Sequence, residues 1–126
     1  RMIDYGRAES AIGESLQAVS RHRMVAIFDA PGEADLSAHV DFGPLRRAGA
    51  EAGAAAWGPT SQGAFLTALG ARRRAQALMK SAGPERSAVV EQAVERLVRP
   101  DAMGTLFKAL AFAPAGLAPA GFSAEG

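Results

Sequence analysis

The chain has 126 residues, 48% hydrophobic and 21% charged, with 14 basic and 13 acidic side chains and a net charge of +1. That length holds one domain or part of one, and so even a charge balance argues against a nonspecific nucleic-acid footprint. Cysteine and asparagine are absent, which excludes a disulfide framework, a thiol nucleophile, a zinc–cysteine site and N-glycosylation. The missing disulfides fit a reducing compartment. Only 6% of residues are aromatic and much of the apolar fraction is alanine, so a thin core is expected, as in a fragment that rests on something else. No apolar run is long enough to span a bilayer, and no signal peptide is visible.

The chain opens on Arg1-Met2-Ile3, which reads as a strand entered midway. Met2-Ile3-Asp4 is predicted to end a buried strand, with Tyr5-Gly6 as the turn that leaves it. Residues 7–14 read as loop, and Ser15 to Val19 as a short strand or one helical turn. Pro31-Gly32 signals a turn. Leu36, Ala38 and Val40 alternate with Ser37, His39 and Asp41, which predicts one short half-buried strand. Asp41 is placed to cap a helix through LRRAGAEA that stops at Gly53. Ala54 to Trp57 is the next predicted strand, ended by Gly58-Pro59.

Ser61 is a candidate cap for a short helix carrying Phe65, Leu66 and Leu69, with Gly70 as its end or kink. Residues 71–82 form a second helical stretch. Gly83-Pro84 separates it from the clearest helix, where Val90, Ala93, Val94 and Leu97 recur at helical spacing and Val89 and Val98 widen the stripe. There Glu95 and Arg99 stand four apart in the favourable order. Pro100 stops that helix. Leu106 to Ala113 reads as a strand, and an Ala/Pro/Gly-rich tail follows. The order is an α/β pattern with too few strands for a complete doubly wound sheet.

Asp4 leaves a strand at its carboxyl end, where open α/β sheets bind ligands; the alternative is a turn-capping aspartate. Alternation places Asp35, His39 and Asp41 on one face, where a carboxylate would orient the imidazole. The bland reading is a solvated edge. His22, in SRHR, reads as a surface residue. Gln62 either points across the same edge or caps the helix after it. Arg72–Arg74 reads as a solvated helix face, and Trp57 and Phe65 as core. Two histidines seventeen positions apart make a poor metal site. The chain has no phosphate loop, no nucleophile elbow and no GxGxG loop after a strand.

Five segments, in order, carry a resemblance: IDYG at 3–6, SLQAVSRHR at 15–23, PGEADLSAHVDF at 31–42, GPTSQGAFLTALG at 58–70 and MGTLFKALAFAP at 103–114. Together they resemble the C-terminal portion of the MidA family of S-adenosylmethionine-dependent methyltransferases, which includes the mitochondrial assembly-factor methyltransferases of respiratory complex I. The resemblance implies an α/β fold, the C-terminal part of a Rossmann-like class I methyltransferase sheet with a reversed last strand. Met2–Asp4 would be its fifth strand, Ala54–Trp57 its sixth and Leu106–Ala113 its antiparallel seventh. Residues 1–114 would form this part of the domain, with a helical insertion at about 61–99, and 115–126 a flexible tail.

The family's glycine-rich loop and its ribose-binding acid would precede this chain, so the main S-adenosylmethionine site is expected upstream and the chain alone is expected to be inactive. The implied catalytic residues are Asp4, Asp41 and His39, and the implied cofactor contacts are Tyr5 and Gly6. The implied reaction is methylation of a protein arginine on a substrate of the complex I subunit type. Nucleic acid is not expected as a partner; a homodimer is an open possibility. The resemblance fits a bacterial cytoplasmic parent, or a mitochondrial one in a eukaryote. The alternative is a non-catalytic protein-interaction remnant that docks through its helical insertion.

Overall fold

A computed structural model describes residues 1–9, 15–29 and 31–122. Among the described residues seven strands form two sheets, accompanied by four α-helices and a short π-helical turn at Pro100–Gly104. The strands are β1 (Met2–Arg7), β2 (Gln17–Ser20), β3 (Arg23–Val25), β4 (Asp35–Ser37), β5 (Val40–Asp41), β6 (Ala55–Ser61) and β7 (Phe107–Ala113). The helices are α1 (Phe42–Glu51), α2 (Gln62–Ala68), α3 (Ala71–Lys80) and α4 (Pro84–Val98). The larger sheet has the order β5-β1-β7-β6 and the smaller β3-β2-β4.

β7 runs antiparallel to both β1 and β6, which makes it the reversed strand that the resemblance implies. It is also the core. Leu110 is fully buried, and Ala109, Ala111 and Ala113 are buried beside it. α1 covers one face: Phe42 is fully buried against Gly6, and Gly49 lies so close to the Phe112 ring that a Cβ there would sit 2.0 Å from it. Burying a side chain such as Phe42 or Leu110 contributes about 1.5–3 kcal/mol. Five of the nine buried apolar residues among those described are alanine, so the core is as thin as the composition suggests.

Local chemistry accounts for most boundaries. The Asp41 carboxylate accepts the Gly43 N–H and starts α1. α1 ends in a paired C-cap: the Gly53 N–H donates to Ala50 and the Ala54 N–H to Gly49, with Gly53 at φ +81°. Ser61 caps α2 through the Ala64 N–H. α4 begins at Pro84, and Pro100 follows its end.

Several expectations need correction. β1 continues through Tyr5 and Gly6 to Arg7 instead of turning there. Met2 and Ile3 are 39% and 46% exposed, because β1 has β7 on one side while β5 flanks only Gly6 and Arg7. The single strand expected over 36–41 is two: β4 joins the small sheet and β5 the large one, so Asp35, His39 and Asp41 do not share a face. β6 runs through Gly58-Pro59 with a register break between Trp57 and Thr60. Glu95 pairs with Arg72 of α3, and Arg99 pairs with Asp101, so the expected Glu95–Arg99 pair is absent among the described residues. In the α4 stripe Val98 is buried while Val89 is 64% exposed.

His22 is exposed, and Arg21 and His22 form the turn of the β2–β3 hairpin with φ of 50° and 63°. Tight hairpins need positive φ at both turn positions, so these side chains adopt a conformation that glycine or asparagine takes more easily. No described helix is long and apolar enough to cross a membrane.

Candidate active-site edge

β1 and β6 are both antiparallel to β7, so their carboxyl ends lie at the same edge of the sheet as the start of β7. Ligands of open α/β sheets bind at this edge. Four of the five predicted site residues are Asp4, Tyr5, His39 and Asp41, and the fifth, Gly6, lies between them on β1.

Tyr5 stands opposite Phe107 of β7, their rings edge-on with centroids 5.6 Å apart. The His39 ring, just before β5, meets Tyr5 in a second edge contact at 5.7 Å. The structure therefore brings Tyr5 and His39 together, with Phe107 as a third wall that the sequence did not announce.

Asp4 lies on the other face. Strand alternation puts it with Gly6, on the side that α1 covers, and away from Tyr5 and His39. It is half-buried, and one carboxylate oxygen accepts the Tyr5 N–H at 2.8 Å. Lys108 is its register partner across the ladder, yet the Lys108 ammonium donates to the Thr105 carbonyl instead. Asp4 makes no ion pair among the described residues. Asp41 is exposed and occupied at one oxygen as the α1 cap.

Gly6 is glycine for packing. A Cβ there would sit 2.1 Å from the Val40 carbonyl oxygen, which parallel pairing with β5 brings close. The space at Gly6 is filled by protein, so no cradle opens there for a cofactor. Gln62 takes neither expected role. It is 6% exposed, and its side-chain amide donates to the Leu97 carbonyl at 2.9 Å, which fastens α2 to the end of α4.

A cavity of about 450 Å³ opens beside this edge, between α1 and α2. Glu9, Arg46, Pro59, Thr60 and Phe122 help to line it. Phe122 belongs to the segment expected to be a flexible tail; its ring lies 5.0 Å from that of Phe65. Sequence reasoning missed this cavity, since Glu9 lies in a presumed loop and Arg46 in the polar face of a helix. Among the described residues no group of three or more histidine or acidic side chains could hold a metal.

A reversed strand between two parallel ones, with a polar cleft at their carboxyl ends, defines a Rossmann-like α/β domain of the methyltransferase class. The family model described as "Putative S-adenosyl-L-methionine-dependent methyltransferase" matches residues 2–60, and the chain is similar to that family over this stretch. It is 34% identical over 118 residues to the mitochondrial protein arginine methyltransferase NDUFAF7 homolog of Drosophila melanogaster, an alignment that covers 93% of this chain and 27% of that protein. A crystal structure of an uncharacterized protein from Burkholderia thailandensis superposes with a TM-score of 0.79 at 32% identity, covering 98% of this chain and 35% of that one. A second Burkholderia thailandensis structure, bound to S-adenosyl-homocysteine, gives a TM-score of 0.68 at 33% identity over 88% of this chain and 30% of that one. The chain thus spans about a quarter to a third of the length of these relatives.

The family's cofactor is S-adenosylmethionine. Among the described residues the space at Gly6 is closed off by Val40 and Phe42, and the sequence has no GxGxG loop. What the edge offers chemically is one half-buried carboxylate, an aromatic corner and a charged cleft.

Proposed function

We propose that this chain forms the acceptor side of an enzyme that transfers a methyl group from S-adenosylmethionine to a protein arginine, on a substrate of the respiratory complex I subunit type. The observation that carries the reading is Asp4, a half-buried carboxylate inside β1, three residues before its carboxyl end, with no ion-pair partner among the described residues. The names of the relatives support the arginine acceptor.

A guanidinium is protonated in water and presents a planar fork of donors. A carboxylate orients that fork and fixes which nitrogen faces the methyl donor. Asp4 has one oxygen committed to the Tyr5 N–H and the other available for this. Asp41 is the second carboxylate of the set, with one oxygen held in the α1 cap. His39 and Tyr5 form the aromatic wall on the opposite face. Of the two residues assigned to the cofactor, Tyr5 is the one with a side chain for that role, since the space at Gly6 is filled.

The test uses the protein extended to the length of its relatives. Asp4→Asn keeps the shape and removes the charge, so methyl transfer to an arginine peptide should fall by about a hundredfold. Normal transfer by that variant would end the reading. The 126-residue chain alone should neither bind S-adenosylmethionine in a calorimetric titration nor transfer methyl groups.

The second reading is a non-catalytic interaction remnant, favoured by the absence of a cofactor loop from the sequence. A parent that binds its protein partner without binding S-adenosylmethionine would establish it. The enzyme reading places the parent in a bacterial cytoplasm or, in a eukaryote, in the mitochondrion. The name of the Drosophila melanogaster relative says mitochondrial.

A further inference from the structure

We propose that the groove between α1 and α2 seats an extended segment of the acceptor protein, with Glu9 engaging its cationic side chain and Arg46 and Arg47 the acidic residues beside it. This rests on the acceptor-side reading and adds the surface and the charge pattern by which the acceptor is chosen.

Two cavities of about 450 Å³ each share Ala8, Glu9 and Arg46. They therefore lie side by side, and together form the groove of the proposal. One end runs along α1 past Gly43 and Arg47. The other reaches Thr60, α2 and Phe122. Its position is right for an acceptor, because α1 covers the face of the sheet that carries Asp4 and Gly6.

The wall suits a peptide backbone. Gly58, Ala64 and Ala68 line it, and these small side chains leave room for a main chain to approach. Gly58 is required to stay small: a Cβ there would lie 2.6 Å from the Ala109 carbonyl oxygen and 3.2 Å from the Phe122 ring. The register break between Trp57 and Thr60 takes Pro59 out of the ladder with β7, so the strand contributes wall instead of pairing.

The charges point to a ligand of both signs. Glu9 and Arg46 line the same cavity yet make no ion pair among the described residues, whereas Arg72–Glu95 and Arg99–Asp101 do pair elsewhere. An acidic group flanked by unpaired arginines is complementary to a cation flanked by acids, and like-charge mismatches there are rejected.

The experiment uses the 126-residue chain, confirmed as folded by circular dichroism. A fluorescein-labelled nonapeptide with a central arginine, an aspartate two positions to each side and glycine or serine elsewhere is titrated by anisotropy. Saturable binding is expected, about tenfold weaker when the peptide's arginine becomes glutamate. Glu9→Lys should reverse that preference. Arg46→Glu should weaken the original peptide by about tenfold and favour one with lysines in place of the aspartates. Ala64→Trp fills the groove without changing charge and should abolish binding while the chain still melts cooperatively.

No saturable binding by the folded chain overturns the proposal. So does binding that Glu9→Lys and Arg46→Glu leave unchanged, or displacement of the peptide by millimolar inorganic phosphate, which would make the groove a simple anion site. Charge-reversed binding by a parent that transfers no methyl group would keep the groove and end the enzyme reading. Unchanged methylation of the peptide by an Arg46→Glu parent would do the opposite.

Discussion

The two sheets of this molecule differ in strand length and are buried very differently. In the large sheet, β7 has a neighbour on each edge and α1 over one face, and Leu110 and Phe42 lose all contact with solvent. In the small sheet only Ala18 is buried, while Met24 and Leu36 are 63% and 60% exposed. Phe28, just beyond β3, is 85% exposed. Both sheets are held together by strand pairing, more extensively in the large one, yet the paired strands of the small sheet do not form a core. Stability comes from strands whose side chains are covered on their faces, and the small sheet has no helix over it among the described residues.

Substitutions can break that contrast. Phe42→Ala should destabilise the chain by about 3–5 kcal/mol in urea unfolding, since it empties the space between α1 and β1. Leu36→Ala in the small sheet should cost under about 0.5 kcal/mol, because that side chain is already in water. Equal effects would mean that the small sheet is covered in solution.

A smaller effect sharpens how the large sheet is reached from its helices. Ser61→Ala removes the α2 cap and should cost about 1 kcal/mol. Asp41→Ala should cost a similar amount of stability through α1. If Asp41 also serves the acceptor, methylation by the parent should fall beyond what the lost stability explains, whereas Ser61→Ala should leave it unchanged. Thermal melts and transfer rates on the same preparations separate the two roles.

The smallest effect is at the Arg99–Asp101 pair, which lies outside both sheets. The side-chain hydrogen bond from Arg99 holds the Asp101 carboxyl below its ordinary value, and the same bond raises Arg99. A lowered carboxyl contributes stability above the ordinary aspartate range and loses it as pH falls through the native value. The raised guanidinium keeps its share until pH exceeds the arginine range. Both groups are exposed, so solvent screens the pair. Asp101→Asn should leave the melting temperature at pH 7 nearly unchanged and slightly flatten its decline in acid. A large shift at pH 7 would show that this turn is coupled to the core.

Much of the architecture was legible in the chain because it depends on near neighbours. Asp41, Ser61 and Gly53 cap their helices through groups two to five residues away. Gly83-Pro84 and Pro100 bracket α4 for reasons of backbone geometry. The apolar run from Phe107 to Ala113 needed only its composition to read as a buried strand. That Asp4 lies on a strand was legible in the same way, but not that the strand runs on to Arg7 and leaves Asp4 inside it and not at its end.

Tertiary structure decided what depends on distant partners. It split residues 35–41 between two sheets, since strand alternation cannot say which strand will be the neighbour. It gave Glu95 to Arg72 on another helix in place of Arg99 on its own, and Gln62 to the Leu97 carbonyl 35 residues away. It separated Asp4 from His39 across a sheet and joined Glu9, Arg46 and Phe122 around one cleft. Local hydrogen bonds and side-chain periodicity are written along the chain, whereas which faces meet is settled only when the strands pair and the apolar surfaces close.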